Sequence, residues 1–129
     1  MTFLDTSTII DYMADDDEVL EYLDGREPFV TSTFCIFEVL NGRVGSGKTD
    51  VHAVRRDFDG VRAIDLNETI AIEAARLQDE ILSDGDRLSP GDALVAATAR
   101  STGDEFVVAD SDFQTAVLEE YVPVTNLRS

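Results

Sequence analysis

The chain has no tryptophan, one cysteine, one histidine and one lysine among its 129 residues. A lone Cys35 excludes an internal disulfide and suits a reducing cytosol. With His52 also alone, a zinc centre built from His and Cys is excluded. Any bound metal must then be held by oxygen, which points to magnesium or manganese. No apolar run approaches the roughly 20 residues of a membrane span. The start lacks the charged-then-apolar pattern of a signal sequence, so a cytoplasmic protein without membrane association is expected. Repeats, linkers and low-complexity segments are absent too, so residues 1–129 are expected to form one domain.

What the chain has in excess is acid. Asp and Glu number 27 against 10 bases, for a net charge of −17. Phosphate binding normally needs a basic patch, so this balance at first argues against nucleic acid. The acids are spread along the whole chain, however, and lysine is nearly absent. That is the pattern of a halophilic cytoplasm, where acid-rich surfaces keep proteins soluble. On this reading the charge reports habitat rather than substrate. Nine arginines remain for a local patch. Arg43, Arg55, Arg56 and Arg100 are candidates for phosphate contacts, with surface ion pairing the equal alternative.

Apolar runs alternate with helical patterns. Thr2 to Asp5, Pro28 to Thr31, Val61 to Ile64, Phe106 to Ala109 and Val122 to Val124 read as strands. Thr6 to Ala14 has Ile9, Ile10 and Met13 at helical spacing. A second short helix follows the Asp15-Asp16-Asp17 run through Leu23, and Gly25 stops it. Ser32 or Thr33 caps a helix to Asn41-Gly42, with Phe34, Phe37, Val39 and Leu40 as core. Asp50 to Phe58 is helical. Asn67 caps the clearest helix, to Leu82, with Ile70, Ala74, Leu77 and Ile81 as its apolar stripe. Ser89-Pro90 opens the next, which Gly103 ends. Asp110 to Leu118 is a short helix. The alternation predicts a three-layer α/β/α sandwich with a mostly parallel central sheet.

Three acids share a suggestive context. Asp5 and Asp110 sit where apolar strands give way to helices, and Asp92 lies in a first helical turn. Singly, each is more simply a cap worth about 0.5–2 kcal/mol. Together they sit at junctions that gather at the carboxyl edge of an open sheet. Glu38 is harder to explain as structure, because it stands inside Phe34-Cys35-Ile36-Phe37-Glu38-Val39-Leu40 and a buried unpaired carboxylate is costly. Asp112 adds a fifth acid. Two like charges about 4 Å apart cost about 4 kcal/mol at an effective dielectric of 20. A bound cation makes such a cluster sensible, and magnesium or manganese would supply a water nucleophile for phosphodiester hydrolysis.

In these residues the chain resembles the PIN-domain ribonucleases, and among them the small VapC-type toxins of toxin–antitoxin pairs. The likeness covers nearly the whole chain. Leu4-Asp5-Thr6-Ser7 matches the opening acid motif, and Phe37 to Gly42 the helical Glu followed by Gly. Asp92 to Ala99 matches the third motif, the most specific, and Asp110-Ser111-Asp112-Phe113 the last. The resemblance implies a metal-binding quartet of Asp5, Glu38, Asp92 and Asp110, with Asp112 nearby and Ser7 orienting a carboxylate or water. It further implies a homodimer, an antitoxin partner and an RNA substrate. Val108 departs from the family, which usually carries Thr or Ser there.

One motif competes. Gly42-Arg43-Val44-Gly45-Ser46-Gly47-Lys48-Thr49 fits the phosphate-binding loop of nucleotide-binding NTPases and kinases. That reading needs Phe34 to Leu40 to be a buried strand, with Glu38 a charge inside it. It also leaves the Asp92 motif unexplained. The alternative is a flexible loop after a helix C-terminus. A third possibility is a binding module without catalysis, for which Val108 is the one hint.

Overall fold

Thr2, Phe3 and Leu4 are all buried, as expected of a strand covered on both faces. In the computed structural model, which describes residues 1–111, 113 and 116–128, this strand, β1 (Thr2–Leu4), occupies the middle of a five-stranded sheet. It is followed by α1 (Thr6–Met13), α2 (Asp17–Leu23), β2 (Phe29–Ser32), α3 (Thr33–Asn41), α4 (Val51–Arg56) and β3 (Val61–Ile64). Then come α5 (Glu68–Ser83), α6 (Pro90–Thr102), β4 (Glu105–Val108), a 3₁₀ turn at Leu118–Glu120 and β5 (Val124–Asn126). The strand order is β3-β2-β1-β4-β5, and every pairing is parallel. The sheet is therefore wholly rather than mostly parallel.

Two crossovers, β1–α1–α2–β2 and β2–α3–α4–β3, step outward in one direction. The third, β3–α5–α6–β4, returns across the sheet in the other. Right-handed connections of opposite sense place their helices on opposite faces, which gives three layers. The order reverses at β1 and β4. Here the chains leaving the two strands diverge and open a crevice at their carboxyl ends.

Local signals set the element boundaries. Asp5, Asp16, Ser32, Asp50, Asn67 and Ser89 each accept a backbone N–H at a helix start. Gly103 ends α6 with φ 69°, a left-handed conformation that favours glycine. The α5 stripe of Ile70, Ala74, Leu77 and Ile81 is buried as expected. Ala74 packs with Ala93 and Ala97 of α6, and these small side chains let the two helices lie close. The core beneath is continuous, from Phe3, Leu4 and Ile9 to Phe106, Val107 and Val108.

Several expectations need correction. Phe37 is 61% exposed rather than core, because α3 buries only Cys35 and Val39. The helix expected over Asp110 to Leu118 falls partly outside the described residues. Among those described, Asp110, Ser111 and Phe113 are not helical, and only the 3₁₀ turn is present at its end. The last strand begins at Val124 instead of Val122. Pro123 lacks the N–H that a ladder requires, so pairing starts after it, while Val122 is spent in the core. Residues 34–40 are helical and feed an exposed loop. Gly42 to Thr49 therefore lacks the preceding strand that a phosphate-binding loop needs. Among the described residues no helix is long and apolar enough to cross a membrane.

Candidate active site

Asp5 stands at the end of β1 and caps α1. Its Oδ1 accepts the Thr8 amide at 2.9 Å. The Ser7 hydroxyl lies 2.8 Å from both Asp5 oxygens and in turn accepts the Ala109 amide at 3.0 Å. Ser7 thus ties the carboxylate of one strand to the end of its neighbour. The buried Thr8 hydroxyl sits 2.8 Å from Asp5 Oδ1 and 2.9 Å from the Val107 carbonyl. Its single proton serves one of them at a time. Asp5 is the cap foreseen from sequence and also a carboxylate fixed in space by two hydroxyls.

Burial pushes the Asp5 carboxyl up to about 6, against the hydrogen bonds from Thr8 and Ser7, and the nearby Asp110 charge adds to the rise. The group is still mostly ionised at neutral pH, but at a cost that a cation would relieve.

Asp5, Glu38, Asp92 and Asp110 all line one open cleft of about 450 Å³. They come from four separate places: the β1–α1 junction, the middle of α3, the first turn of α6 and the segment after β4. Glu38 is exposed on α3, and its Oε1 accepts the Thr6 hydroxyl at 2.6 Å. The case for Glu38 as a buried misfit was therefore wrong in its premise. Its exposure needs no excuse, and what marks it is its position on the cleft. Asp92 is positioned by the Ser89 cap, whose hydroxyl accepts the Asp92 amide at 3.1 Å. The close approach of α3 to this turn depends on Gly91, where a Cβ would lie 2.7 Å from Phe34 Cζ. The Asp110 carbonyl accepts the Asn126 side-chain amide at 2.9 Å. Asp112 lies outside the described residues.

Glu38, Asp92 and Asp110 reach the cleft as exposed side chains, while Asp5 is partly buried. As they stand, no three His, Cys, Asp or Glu residues among those described are gathered closely enough to hold an ion. The donor chemistry is nonetheless defined. Cys35 also lines the cleft, but burial pushes its thiol up to about 11, so it offers no thiolate at neutral pH. The ligands on offer are oxygens.

The arginines foreseen as phosphate contacts are elsewhere. Arg55 donates to the carbonyls of Phe58 and Val61, and Arg100 pairs with Glu73 and Glu80. Arg43 and Arg56 do not line the cleft either. Sequence reasoning missed Thr6, Thr8, Asn126 and Arg87. Thr8 had a signal, since a hydroxyl at the third position after a capping Asp can turn back to it. Thr6 and Asn126 reach the site through contacts distant in sequence, and Arg87 lines the cleft from the connection that leads into α6. Val108, where a hydroxyl was expected, is fully buried in the core. The hydroxyl that joins Asp5 to the end of β4 comes from Ser7.

Four carboxylates at the switch point of an open parallel sheet define an acidic α/β cleft of the kind that suits a hard cation. The PIN domain family matches residues 2–117, and the chain belongs to it. Among solved structures it is similar to FitAcB from Neisseria gonorrhoeae, at 21% identity and TM-score 0.78 over 98% of each chain. A member of the VapBC family of toxin–antitoxin systems from Mycobacterium tuberculosis is 25% identical, with TM-score 0.66 over 99% of this chain and 98% of that one. VapC20 of the same organism, a sarcin–ricin-loop-cleaving toxin, is 20% identical, with TM-score 0.63 over 95% of this chain and 96% of that one. No curated protein matches significantly.

Proposed function

We propose that this chain is a magnesium- or manganese-dependent endoribonuclease and the toxin of a toxin–antitoxin pair. The observation that carries the proposal is the convergence of Asp5, Glu38, Asp92 and Asp110, from four parts of the chain, on one cleft. Without a cation, such an arrangement would be repulsive. Asp5, Asp92, Glu38 and Asp110 would hold the metal, with Asp112 as a further ligand. Bound there, the cation would supply an activated water and a polarised phosphate oxygen.

The chain's own residues do the rest. Ser7 and Thr8 fix Asp5, so that its charge meets the cation without having to be ordered first. Thr6 holds Glu38 toward α1. One of the exposed carboxylates that is not bound to the cation would take the proton lost by the attacking water. Membership of the PIN family, together with solved structures of this fold that include a sarcin–ricin-loop-cleaving toxin and members of toxin–antitoxin systems, supports an RNA substrate and an antitoxin partner. A homodimer and a cytoplasmic, halophilic setting belong to the same reading.

The test is cleavage of total RNA by the purified chain, with and without magnesium or manganese, beside Asp5→Asn. Metal-dependent cleavage lost in Asp5→Asn is expected. Cleavage that persists in a chelator, or full activity in the variant, would overturn the mechanism.

A further inference from the structure

The cleft that gathers four acidic residues has one basic residue, Arg87, in its lining among the described residues. The chain has only ten bases, so their placement can be followed one by one. Arg26 bonds Tyr22 and Glu105, Arg55 bonds two carbonyls, Arg76 pairs with Glu73, and Arg100 with Glu73 and Glu80. Arg128 is held by Asp11, Asp16 and Glu18. Arg43, Lys48, Arg56, Arg62 and Arg87 have no side-chain hydrogen bond or ion pair among the described residues. Of these five, Arg87 alone lines the cleft. In a protein of net charge −17, an arginine without a carboxylate partner beside four carboxylates calls for an explanation.

Its backbone is not loose. Arg87 lies in the connection between α5 and α6, where Gln78 grips the next residue from both sides. The Gln78 amide donates to the Leu88 carbonyl at 2.7 Å and accepts the Leu88 amide at 2.9 Å. The Arg87 amide donates to Asp86 Oδ1 at 2.8 Å, and Ser89 then caps the helix that carries Asp92. A fixed main chain therefore places Arg87 at the cleft wall, with no side-chain hydrogen bond or ion pair among the described residues.

We propose that Arg87 clamps the RNA phosphate at the cleft through charge-assisted hydrogen bonds to its non-bridging oxygens. The inference rests on the nuclease reading above. A single divalent ion cancels only two of the four carboxylate charges, so the cleft would still repel a polyanion. A guanidinium adds a positive charge and a donor fork that matches two phosphate oxygens at once. The fork also explains why the residue is kept free of the neighbouring acids: a paired arginine would have to be released before it could bind.

Cleavage of an RNA oligonucleotide in magnesium would be compared for the wild type, Arg87→Ala, Arg87→Lys and Arg62→Ala, with Mn²⁺ binding to each measured by titration calorimetry. Arg87→Ala should lower kcat/KM by about 100-fold, the scale of losing one transition-state donor. Arg87→Lys should recover part of this, because it keeps the charge and loses the fork. Mn²⁺ affinity and the unfolding midpoint should stay at wild-type values, and Arg62→Ala should cleave normally. If the wild type cleaves and Arg87→Ala cleaves equally well, the clamp is wrong and the nuclease reading stands. A loss in Arg87→Ala that tracks weaker Mn²⁺ binding or a lower midpoint makes Arg87 a structural prop and overturns the clamp. If the wild type does not cleave RNA at all, the functional reading fails and the clamp fails with it.

Discussion

Replacing Asp5 with asparagine should make the metal-free protein more stable at neutral pH, and the gain should depend on pH in a calculable way. Burial, assisted by Asp110, raises the folded-state pKa of Asp5 from 3.8 to about 6. The unfolded chain then holds its charge more easily than the fold does. Stability from this group is intact below the unfolded pKa and is lost as pH rises toward and past the folded one. The difference amounts to about 3 kcal/mol when both states are ionised. About 2 kcal/mol of it develops between about pH 4.5 and about pH 8, by the same relation. Asparagine keeps an oxygen for the Thr8 amide and has no charge to desolvate. It disturbs the Ser7 bond by about 1 kcal/mol, a cost that does not vary with pH. The quantity to measure is the variant-minus-wild-type gap in urea unfolding free energy, in chelator at constant KCl, across that range. It should widen with pH by about 2 kcal/mol, equivalent to about 1 M urea for a domain of this size. Magnesium should then raise the wild-type midpoint and leave the variant unmoved. A gap that stays flat with pH, or closes as pH rises, would refute the idea that Asp5 is held at a cost to the fold.

Three further outcomes follow from the same structure. Ser7→Ala removes the bridge from Asp5 to the Ala109 amide; metal-dependent cleavage should fall about 10- to 100-fold, the scale of losing an outer-shell partner, and an unchanged rate would disprove the bridge's role. Lys48→Ala changes an exposed loop that follows a helix, so RNA cleavage should be unaffected and no ATP hydrolysis should appear in either protein; a loss of activity would revive the phosphate-loop reading. The −17 net charge should make the unfolding midpoint rise between low and molar KCl, because self-repulsion is screened over a Debye length that falls to about 3 Å at 1 M salt; a midpoint insensitive to KCl would refute the halophilic reading.

The fold was legible where sequence carries local rules. Six helix starts are marked by capping side chains, α5 announces itself by its stripe, and the alternation of apolar runs with helices fixes the sheet as parallel. Legibility fails after β4. There the final strand is displaced by Pro123, and an expected helix is absent from the described residues. Hydrophobic pattern alone cannot tell a helix from a packed turn over so short a stretch. The same limit explains Phe37. Seven mostly apolar residues in α3 read as a buried helix, yet α3 packs only a narrow stripe and leaves Phe37 and Glu38 outside. Glu38 is exposed, so the cost of a buried carboxylate does not apply to it. The resemblance to the PIN family points to the same residue, and its place in the cleft that Asp5 also lines gives a physical reason in place of the lost one. Arg87 had no comparable signal. Its sequence surroundings are those of an ordinary loop, and only the three-dimensional course of the α5–α6 connection brings it to the acids.

The site is also more tightly built than its four acids suggest. Ser7 joins Asp5 to the Ala109 amide, one residue before Asp110. The Asp110 carbonyl takes the Asn126 side-chain amide, and Asn126 Oδ1 takes the Arg128 amide at 2.9 Å. The Arg128 guanidinium returns to Asp11 on α1 and to Asp16 and Glu18 around the start of α2. The Val19 amide and Arg128 together hold the Asp16 carboxyl below the usual range. Each of these ion pairs is partly exposed and would contribute little alone. Their geometry matters more than their energy, because the path closes on itself: Asp5 stands at the head of α1, Asp110 follows β4 and is bonded by Asn126 of β5, and the last arginine ties the end of β5 back to α1. Opening the cleft by moving Asp110 away from Asp5 would break several of these bonds at once. The backbone positions of Asp5 and Asp110 are therefore set by the fold, while the exposed side chains of Asp92 and Asp110 can adjust their rotamers within the cleft.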